Sequence, residues 1–423
     1  MNLRYVLGRP LTAVCLACAV AVAAVPGAGI AVTSAIAAEE GNTVRPEIAK
    51  PLQAAQQAIQ SKAYAQALAK LKEADAVSGR TPYEDSVIAQ LRLMAAVGAE
   101  DMGVAARSFE ALGNSGNVAP ATKLQFTLAI ASGYFRAKDY AAAATWTNRY
   151  LSNGGTDAQA RLLLVQSYYL DKQYGPAAKA ALDNITQTEK QGQVPSETLL
   201  QILASSAREQ QDWKMYETAL LRLAADYPKQ DYWADLLHRV SAHPGFSDRL
   251  RLDVSRLGMA VGILTTAAQY VEYTELAIQA GLPGEAQGVV EKGFSGGILG
   301  AGGDAARHGR LRDLVNKAVA NDQKSLDASA AEAAKAASGD PLANTGLDYY
   351  GYGQYDKAIS LLEQGLAKGS LKAPEEARLH LGITYLAAGK KAKAIEVLKA
   401  VKGTDGAADL AALWIVKAGG RPY

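Results

Sequence analysis

One spacing, small–x2–Tyr–x3–Gly/Lys–x–Tyr–x2–Ala, recurs along this chain and constrains its fold more than any other feature. It is clearest where Gly346, Tyr349, Gly353, Tyr355, Ala358 and Leu362 hold the key positions. Thirty-six residues later Gly382, Tyr385, Gly389, Lys391, Ala394 and Leu398 repeat it. Upstream, Tyr134, Lys138, Tyr140 and Ala143 recur 34 residues on as Tyr168, Lys172, Tyr174 and Ala177. A unit of this length is one helical hairpin. It cannot bury its own apolar face and must stack on neighbours.

The remaining apolar spacing is also helical. Leu124, Leu128, Ala131 and Phe135 fall on one helix face, as do Leu250, Val254, Leu257 and Val261, and no stretch alternates like a strand. The small positions (Ala131, Gly346 and Gly382 on the first helix; Ala67, Ala143, Ala177, Ala358 and Ala394 on the second) allow close approach within a hairpin. Tyr134, Tyr168, Tyr349 and Tyr385 are then expected to fill the space between successive hairpins.

These residues resemble the tetratricopeptide repeat family. Seven segments fit its pattern, those in which Tyr64, Met102, Tyr140, Tyr174, Trp213, Tyr355 and Lys391 open helix B. An eighth lies around Gly281, Pro283 and Ala286. The resemblance implies an all-α fold, an α-solenoid superhelix of stacked hairpins. It divides the chain into residues 38–228 as an N-terminal array, 229–345 as an irregular helical segment, and 346–423 as a C-terminal pair with a cap. Residues 229–262, broken by His243-Pro244-Gly245, and 297–340, broken by the glycine-rich run from Gly296 to Gly303, lack the turn signature. Asp304 is an expected N-cap, Thr186 to Glu197 an expected loop, and residues 405–417 an expected terminal capping helix.

Residues 1–37 read as a secretory leader: Arg4 and Arg9, an uncharged apolar run from Leu11 to Val25, a Pro26-Gly27 break, and Ala35-Ile36-Ala37 as the cleavage site. Both cysteines, Cys15 and Cys18, lie inside it, and lipidation at Cys18 is disfavoured because Cys15 stands where a lipobox carries Leu. The chain after Ala37 has 44 − 2 = 42 basic and 42 acidic residues. That balance leaves no electrostatic footprint for nucleic acid, and no later apolar run is long enough for a stable membrane span. Export to a bacterial periplasm or cell envelope is the expectation.

Candidate chemistry is sparse. Gly293-Phe294-Ser295-Gly296-Gly297 matches the G-x-S-x-G elbow of hydrolases, with Asp313 and His380 as downstream triad candidates. That elbow requires a strand before it and a sheet around it, and the preceding Glu285–Lys292 reads as helix. Gly296 to Gly303 lacks the Lys-Ser/Thr ending of a phosphate loop. His238, His243, His308 and His380 form no metal-binding spacing, and Glu375-Glu376 after Pro374 suit a helix start. Neither catalytic residues nor a cofactor or metal is expected.

The family resemblance places the residue after each helix-A core position on a concave groove. On that count Gln125, Ser132, Phe135 and Arg136 line it in one hairpin, Gln159, Gln166 and Tyr169 in the next, then Gln201, Ser205, Arg208 and Glu209, with Tyr350 at the C-terminal end. Amides can pair with a peptide backbone and rings can cover its side chains. The competing reading is a row of ordinary solvated positions. Gln56, Met94, Ser132 and Gln166 stand where chaperone-binding members carry basic and Asn residues, which argues against a chaperone C-terminus as ligand. The expected function is a non-catalytic scaffold for a protein or peptide. An envelope factor handling polysaccharide, with Phe135, Tyr169 and Tyr350 stacking on sugars, is the alternative, and a hydrolase using Ser295 a third reading. Nothing in the sequence bears on oligomeric state.

Overall fold

A computed structural model describes residues 43–113 and 118–421. The leader expected over residues 1–37, with Cys15 and Cys18, lies outside the described residues. All regular structure among the described residues is helical. In chain order the helices begin with α1 (Pro46–Gln60), α2 (Tyr64–Asp75), α3 (Pro82–Gly98), α4 (Met102–Gly113), α5 (Pro120–Arg136), α6 (Tyr140–Ser152) and α7 (Ala158–Leu170). Next come α8 (Tyr174–Lys190), α9 (Glu197–Glu209), α10 (Trp213–Asp226), α11 (Gln230–Ala242), α12 (Arg251–Val261), α13 (Ala267–Gln279) and α14 (Pro283–Ser295). The chain ends with α15 (Ala305–Asp322), α16 (Leu326–Lys335), α17 (Asp340–Gly351), α18 (Tyr355–Lys368), α19 (Pro374–Ala387), α20 (Lys391–Lys399) and α21 (Ala407–Lys417).

Among the described residues seven pairs form hairpins: α1/α2, α5/α6, α7/α8, α9/α10, α13/α14, α17/α18 and α19/α20. Each turns through one left-handed residue placed two before helix B, namely Lys62, Lys138, Lys172, Gln211, Gly281, Gly353 and Gly389. Glu100, two before Met102, has the same conformation. At each of the seven turns two backbone bonds of 2.7–3.0 Å close the end of helix A, for example Lys172 N–H to the Tyr169 carbonyl and Gln173 N–H to that of Tyr168. This pattern satisfies carbonyls that the helix end would otherwise strand. Asp139 and Asp212 then cap the next helix on the N–H of Ala142 and Met215. The expected hairpin around Gly281 and Pro283 is present with the same geometry.

The chain divides into two compact units. Among the described residues, the first comprises 43–99 together with 107–113 and 118. Its core is Ile48, Leu52, Leu71, Ile88 and Ala95 from α1, α2 and α3. Arg45 ties the start of α1 to the buried Glu84 of α3 at 2.9 Å, while Glu84 and Thr81 form a reciprocal capping box.

The second unit comprises residues 100–106 and those from 119 onward. Its small positions perform as expected. A Cβ on Gly346 would stand 3.1 Å from the Ala358 carbonyl, and Ala131, Ala143, Ala177, Ala358 and Ala394 are wholly buried. The helix-A tyrosines reach the preceding element: Tyr134 donates to the Met102 carbonyl, Tyr349 to Asp327, Tyr385 to Glu363, and Tyr168 meets Asn148.

Two expectations need correction, and a third is met with an addition. Helix α8 runs on to Lys190, so the expected loop from Thr186 shrinks to residues 191–196; buried Ile185 and the Glu189–Arg222 ion pair at 3.0 Å hold the extra turn. Asp304 precedes α15 but makes no side-chain capping bond. Helix α21 covers α19 and α20 as a cap should, yet it also packs on α10 and α12. Leu410, Leu413, Trp414 and Ile415 thereby join one core with Leu220, Leu223, Leu236 and Leu257. Arg421 pairs with Asp226 at 2.5 Å, and Ser247 N–H donates to the Asp405 carbonyl at 2.9 Å. The C-terminal hairpins are therefore bound to the middle of the same unit. Among the described residues no helix is long and apolar enough to cross a membrane.

Candidate functional site

Helices α7, α9 and α11 carry a row of polar and aromatic side chains that meet across the array. Tyr169 Oη on α7 lies 2.9 Å from Ser205 Oγ on α9. Gln201 on α9 donates to Tyr232 Oη on α11 at 2.7 Å, and that hydroxyl donates to Glu197 at 2.6 Å. Burial and the bond to Glu197 push the Tyr232 hydroxyl up to about 12. Burial would raise Glu197, but its bonds to Lys229 and Tyr232 outweigh this and hold it below the usual carboxylate range.

The other sequence-derived groove residues fall into three groups. Gln125 and Gln159 are exposed, and Arg136 reaches Glu100 at 3.4 Å. Phe135 is half-buried and packs edge-on against Tyr140 with 5.4 Å between centroids. Arg208 remains at the surface, with Glu209 at 3.7 Å. Three residues depart from the expectation, and the first is Ser205, which is buried on α9 with its hydroxyl committed to Tyr169. Gln166 is buried within α7 and presents no amide to a groove. Tyr350 packs against the core, and burial raises its hydroxyl well above the usual phenol range, next to Glu285 and Arg256.

Those two charges belong to a buried ionic cluster that the sequence did not signal. Arg256 (4 % exposed) and Asp253 (1 %) lie one turn apart on α12 and pair at 2.7 Å. The same guanidinium grips both oxygens of Glu285 on α14 at 2.7 Å. Tyr273 on α13 donates to Glu285 at 2.8 Å. His380 on α19 places Nε2 at 2.9 and 3.1 Å from the Asp253 oxygens. Burial alone would raise Asp253, but His380 and Arg256 outweigh it and hold the carboxyl at about 2. Arg256 is held well above its ordinary value, because Glu285 and Asp253 more than offset its burial. The cluster joins helices 124 residues or more apart in sequence, which locks α19 to α12.

Asp253, Glu376 and His380 also bring three possible ligand atoms within 4.8 Å of one another. The arrangement is poor for a cation. The Asp253 oxygen and His380 nitrogen that would face it already face each other, and Arg256 Nη1 stands 3.2 Å from that nitrogen. Glu376 is turned to Arg249 at 3.3 Å, and burial raises its carboxyl above the usual range.

Ser295 is not part of this chemistry. It sits exposed at the last residue of α14, ten residues and therefore about 15 Å along the helix from Glu285. Its hydroxyl donates to the Lys292 carbonyl. The glycines around it serve the helix end: Gly297 takes a left-handed φ of 68°, and a Cβ on Gly293 would lie 2.6 Å from Leu299. Asp313 is exposed on α15, while His380 is committed to Asp253, so the candidate triad does not assemble.

The repeated turn, the small helix-A and helix-B contacts and the tyrosines reaching back define a helical-repeat protein of the hairpin-solenoid class. The tetratricopeptide repeat family model matches residues 349–417, which run from the end of α17 through α18, the α19/α20 hairpin and α21. This match places tetratricopeptide repeats in residues 349–417. No curated protein matches it in sequence. Among solved structures it is similar to a chain of the Naa15/Naa10 complex bound to HypK-THB, with 14 % identity and a TM-score of 0.29. That match covers 86 % of this chain and 58 % of the other, so this chain spans under two thirds of its length. Yeast Tom70 matches with 12 % identity over 88 % of this chain and 95 % of its own, at a TM-score of 0.24. At such TM-scores neither likeness carries a functional inference.

Proposed function

We propose that this protein is an exported, non-catalytic scaffold of a bacterial periplasm or cell envelope. It captures a protein or peptide on the first-helix face of residues 119–262. The observation that carries this reading is that α7, α9 and α11 set the partly exposed Tyr169 and Gln201 in one row, held by bonds of 2.9 and 2.7 Å to the buried Ser205 and Tyr232. Such a row is pre-organised, so an extended ligand loses little side-chain entropy from the protein on binding. The fold fits the role, because stacked hairpins offer a continuous surface without requiring a catalytic centre. Export rests on the sequence pattern of residues 1–37.

The test is capture of partners from a cross-linked envelope extract by the chain purified from Ala38, identified by mass spectrometry. A protein partner that is enriched reproducibly and lost in a Tyr169→Ala, Gln201→Ala variant supports the reading. Enrichment untouched by that variant would move the binding surface elsewhere, and enrichment of glycan without protein would reject a protein ligand. For export, intact-mass measurement of the native protein should show loss of residues 1–37 or 1–38; an unprocessed N-terminus would exclude it.

A further inference from the structure

Three hairpins share a ring pair across the turn. The ring near the end of helix A packs against the ring that opens helix B five residues later: Phe135–Tyr140 at 5.4 Å, Tyr169–Tyr174 at 5.9 Å and Tyr350–Tyr355 at 5.9 Å. These are the edge-on or tilted geometries in which aromatic pairs gain energy beyond area burial. The α9/α10 hairpin has the second ring but lacks the first. Trp213 opens helix B, and Arg208 occupies the ring position of helix A.

Without that ring Trp213 leans on side chains of α10 and α11. It meets Tyr216 edge-on at 6.4 Å, and the Arg239 guanidinium lies over both rings, at 4.8 Å from Trp213 and 4.2 Å from Tyr216. The indole nevertheless stays 47 % exposed, and it is the aromatic member of the large exposed apolar side chains among the described residues. Arg208 is 39 % exposed, and its neighbour Glu209 is 3.7 Å away, a pairing that is easily exchanged. Positions 201, 205 and 208 share one face of α9. Arg208 therefore extends the row of Gln201 and Ser205 to the end of the helix.

We infer that the α9/α10 turn is an acceptor for an aromatic side chain of an extended partner polypeptide. The partner's ring takes the place beside Trp213 that Phe135, Tyr169 and Tyr350 fill from within their own hairpins. Arg208 pairs with a carboxylate adjacent to that ring. The inference rests on the scaffold reading and names one subsite of it. Aromatic edge contacts and exposed charge pairs are each modest, so a preference of about tenfold for an aromatic over an aliphatic residue is expected.

The test uses tryptophan emission, because Trp146, Trp233 and Trp414 are buried and Trp213 is the accessible indole. The probe is the blocked peptide acetyl-Gly-Phe-Asp-Gly-amide, with Leu for Phe and Asn for Asp as controls. The Phe-Asp peptide should protect Trp213 from acrylamide quenching, with half-saturation about tenfold below that of the Leu control. Arg208→Phe should supply the missing ring internally. It should shield Trp213 without peptide and abolish the peptide effect. Arg208→Gln should keep the preference for Phe and lose that for Asp over Asn. Equal protection by the Phe and Leu peptides, no protection at all, or peptide binding unchanged in Arg208→Phe would each overturn the inference. A captured protein partner retained by Arg208→Phe would remove the subsite and leave the scaffold standing. Peptide protection with no captured partner would do the reverse.

Discussion

Arg256 is the side chain whose neutralisation should cost the second unit most. Arg256→Met keeps much of the apolar stem, so little cavity is created, but removes the charge that faces Asp253 and both oxygens of Glu285 at 2.7 Å. Two carboxylates are then stranded where water is excluded, with His380 beside Asp253 and Tyr273 on Glu285. Breaking a buried pair in this way costs about 3–5 kcal/mol. Asp253 provides a cross-check: a carboxyl held at about 2 rather than 3.8 corresponds to about 2–3 kcal/mol, part of which belongs to His380. The assay is urea unfolding followed by circular dichroism, with hydrogen exchange resolved for α12 and α19. The midpoint should fall and amides of α19 should exchange faster, since the cluster is what ties α19 to α12. The triple variant Asp253→Asn, Arg256→Met, Glu285→Gln should recover most of the loss, because its amides keep the bonds to His380 and Tyr273 and leave no uncompensated charge. The sign with pH follows. The depressed Asp253 contributes stability that is complete above its unfolded value near 4 and is lost as pH falls through about 2. Stranded carboxylates take up protons at higher pH, so the penalty of Arg256→Met should shrink as pH is lowered towards 4. A loss below about 1 kcal/mol, or a triple variant no more stable than the single one, would refute the reasoning.

Three further outcomes are expected. Asp348 has a buried, unpartnered Oδ1, and burial with Asp322 nearby raises its carboxyl to about 7. Because the folded value lies above the unfolded one, stability should decline as pH rises from about 4 to 7. Asp348→Asn should remove that slope and gain about 1–2 kcal/mol at pH 8 after allowance for partial exposure, read from denaturation midpoints. Lys172 holds a φ of 59° where three of the other hairpins have glycine, so Lys172→Gly should stabilise by about 0.5 kcal/mol and Gly389→Ala should cost about 1 kcal/mol; equal signs would contradict the strain argument. Gly346→Ala should destabilise by about 1–3 kcal/mol, because its Cβ would meet backbone atoms of α18, whereas Gly288→Ala on the open face of α14 should stabilise by about 0.5–1 kcal/mol; thermal melts of both variants decide the point.

The hairpins were legible because their determinants are local. A left-handed residue before helix B, an apolar period of 3.6 and an alanine at the contact position act within one repeat. Even the departures showed, since His243-Pro244-Gly245 and the glycines before Asp304 interrupt helices wherever they occur. The groove assignment was legible only in part. Tyr169 and Gln201 join the row of first-helix side chains, but the family count cannot register that Gln166 is covered by neighbours or that Tyr350 is drawn into the core. Ser295 shows the opposite failure: its glycine spacing matches a catalytic elbow, yet the same glycines are required by a helix C-terminus and by Leu299.

The amino-acid sequence by itself determined the all-α class, the repeat unit, the turn positions and the lack of charge bias, because each depends on residues within one hairpin or on composition. Only the tertiary structure decided that α21 and α19 close back on α10 and α12, and that Asp253, Arg256, Glu285 and His380 meet. Those contacts span up to 195 residues and depend on how the orientations of all intervening helices accumulate. No single repeat encodes that sum, and a lone Asp, Arg or His on a helix reads the same whether it will face water or a partner from the far end of the chain.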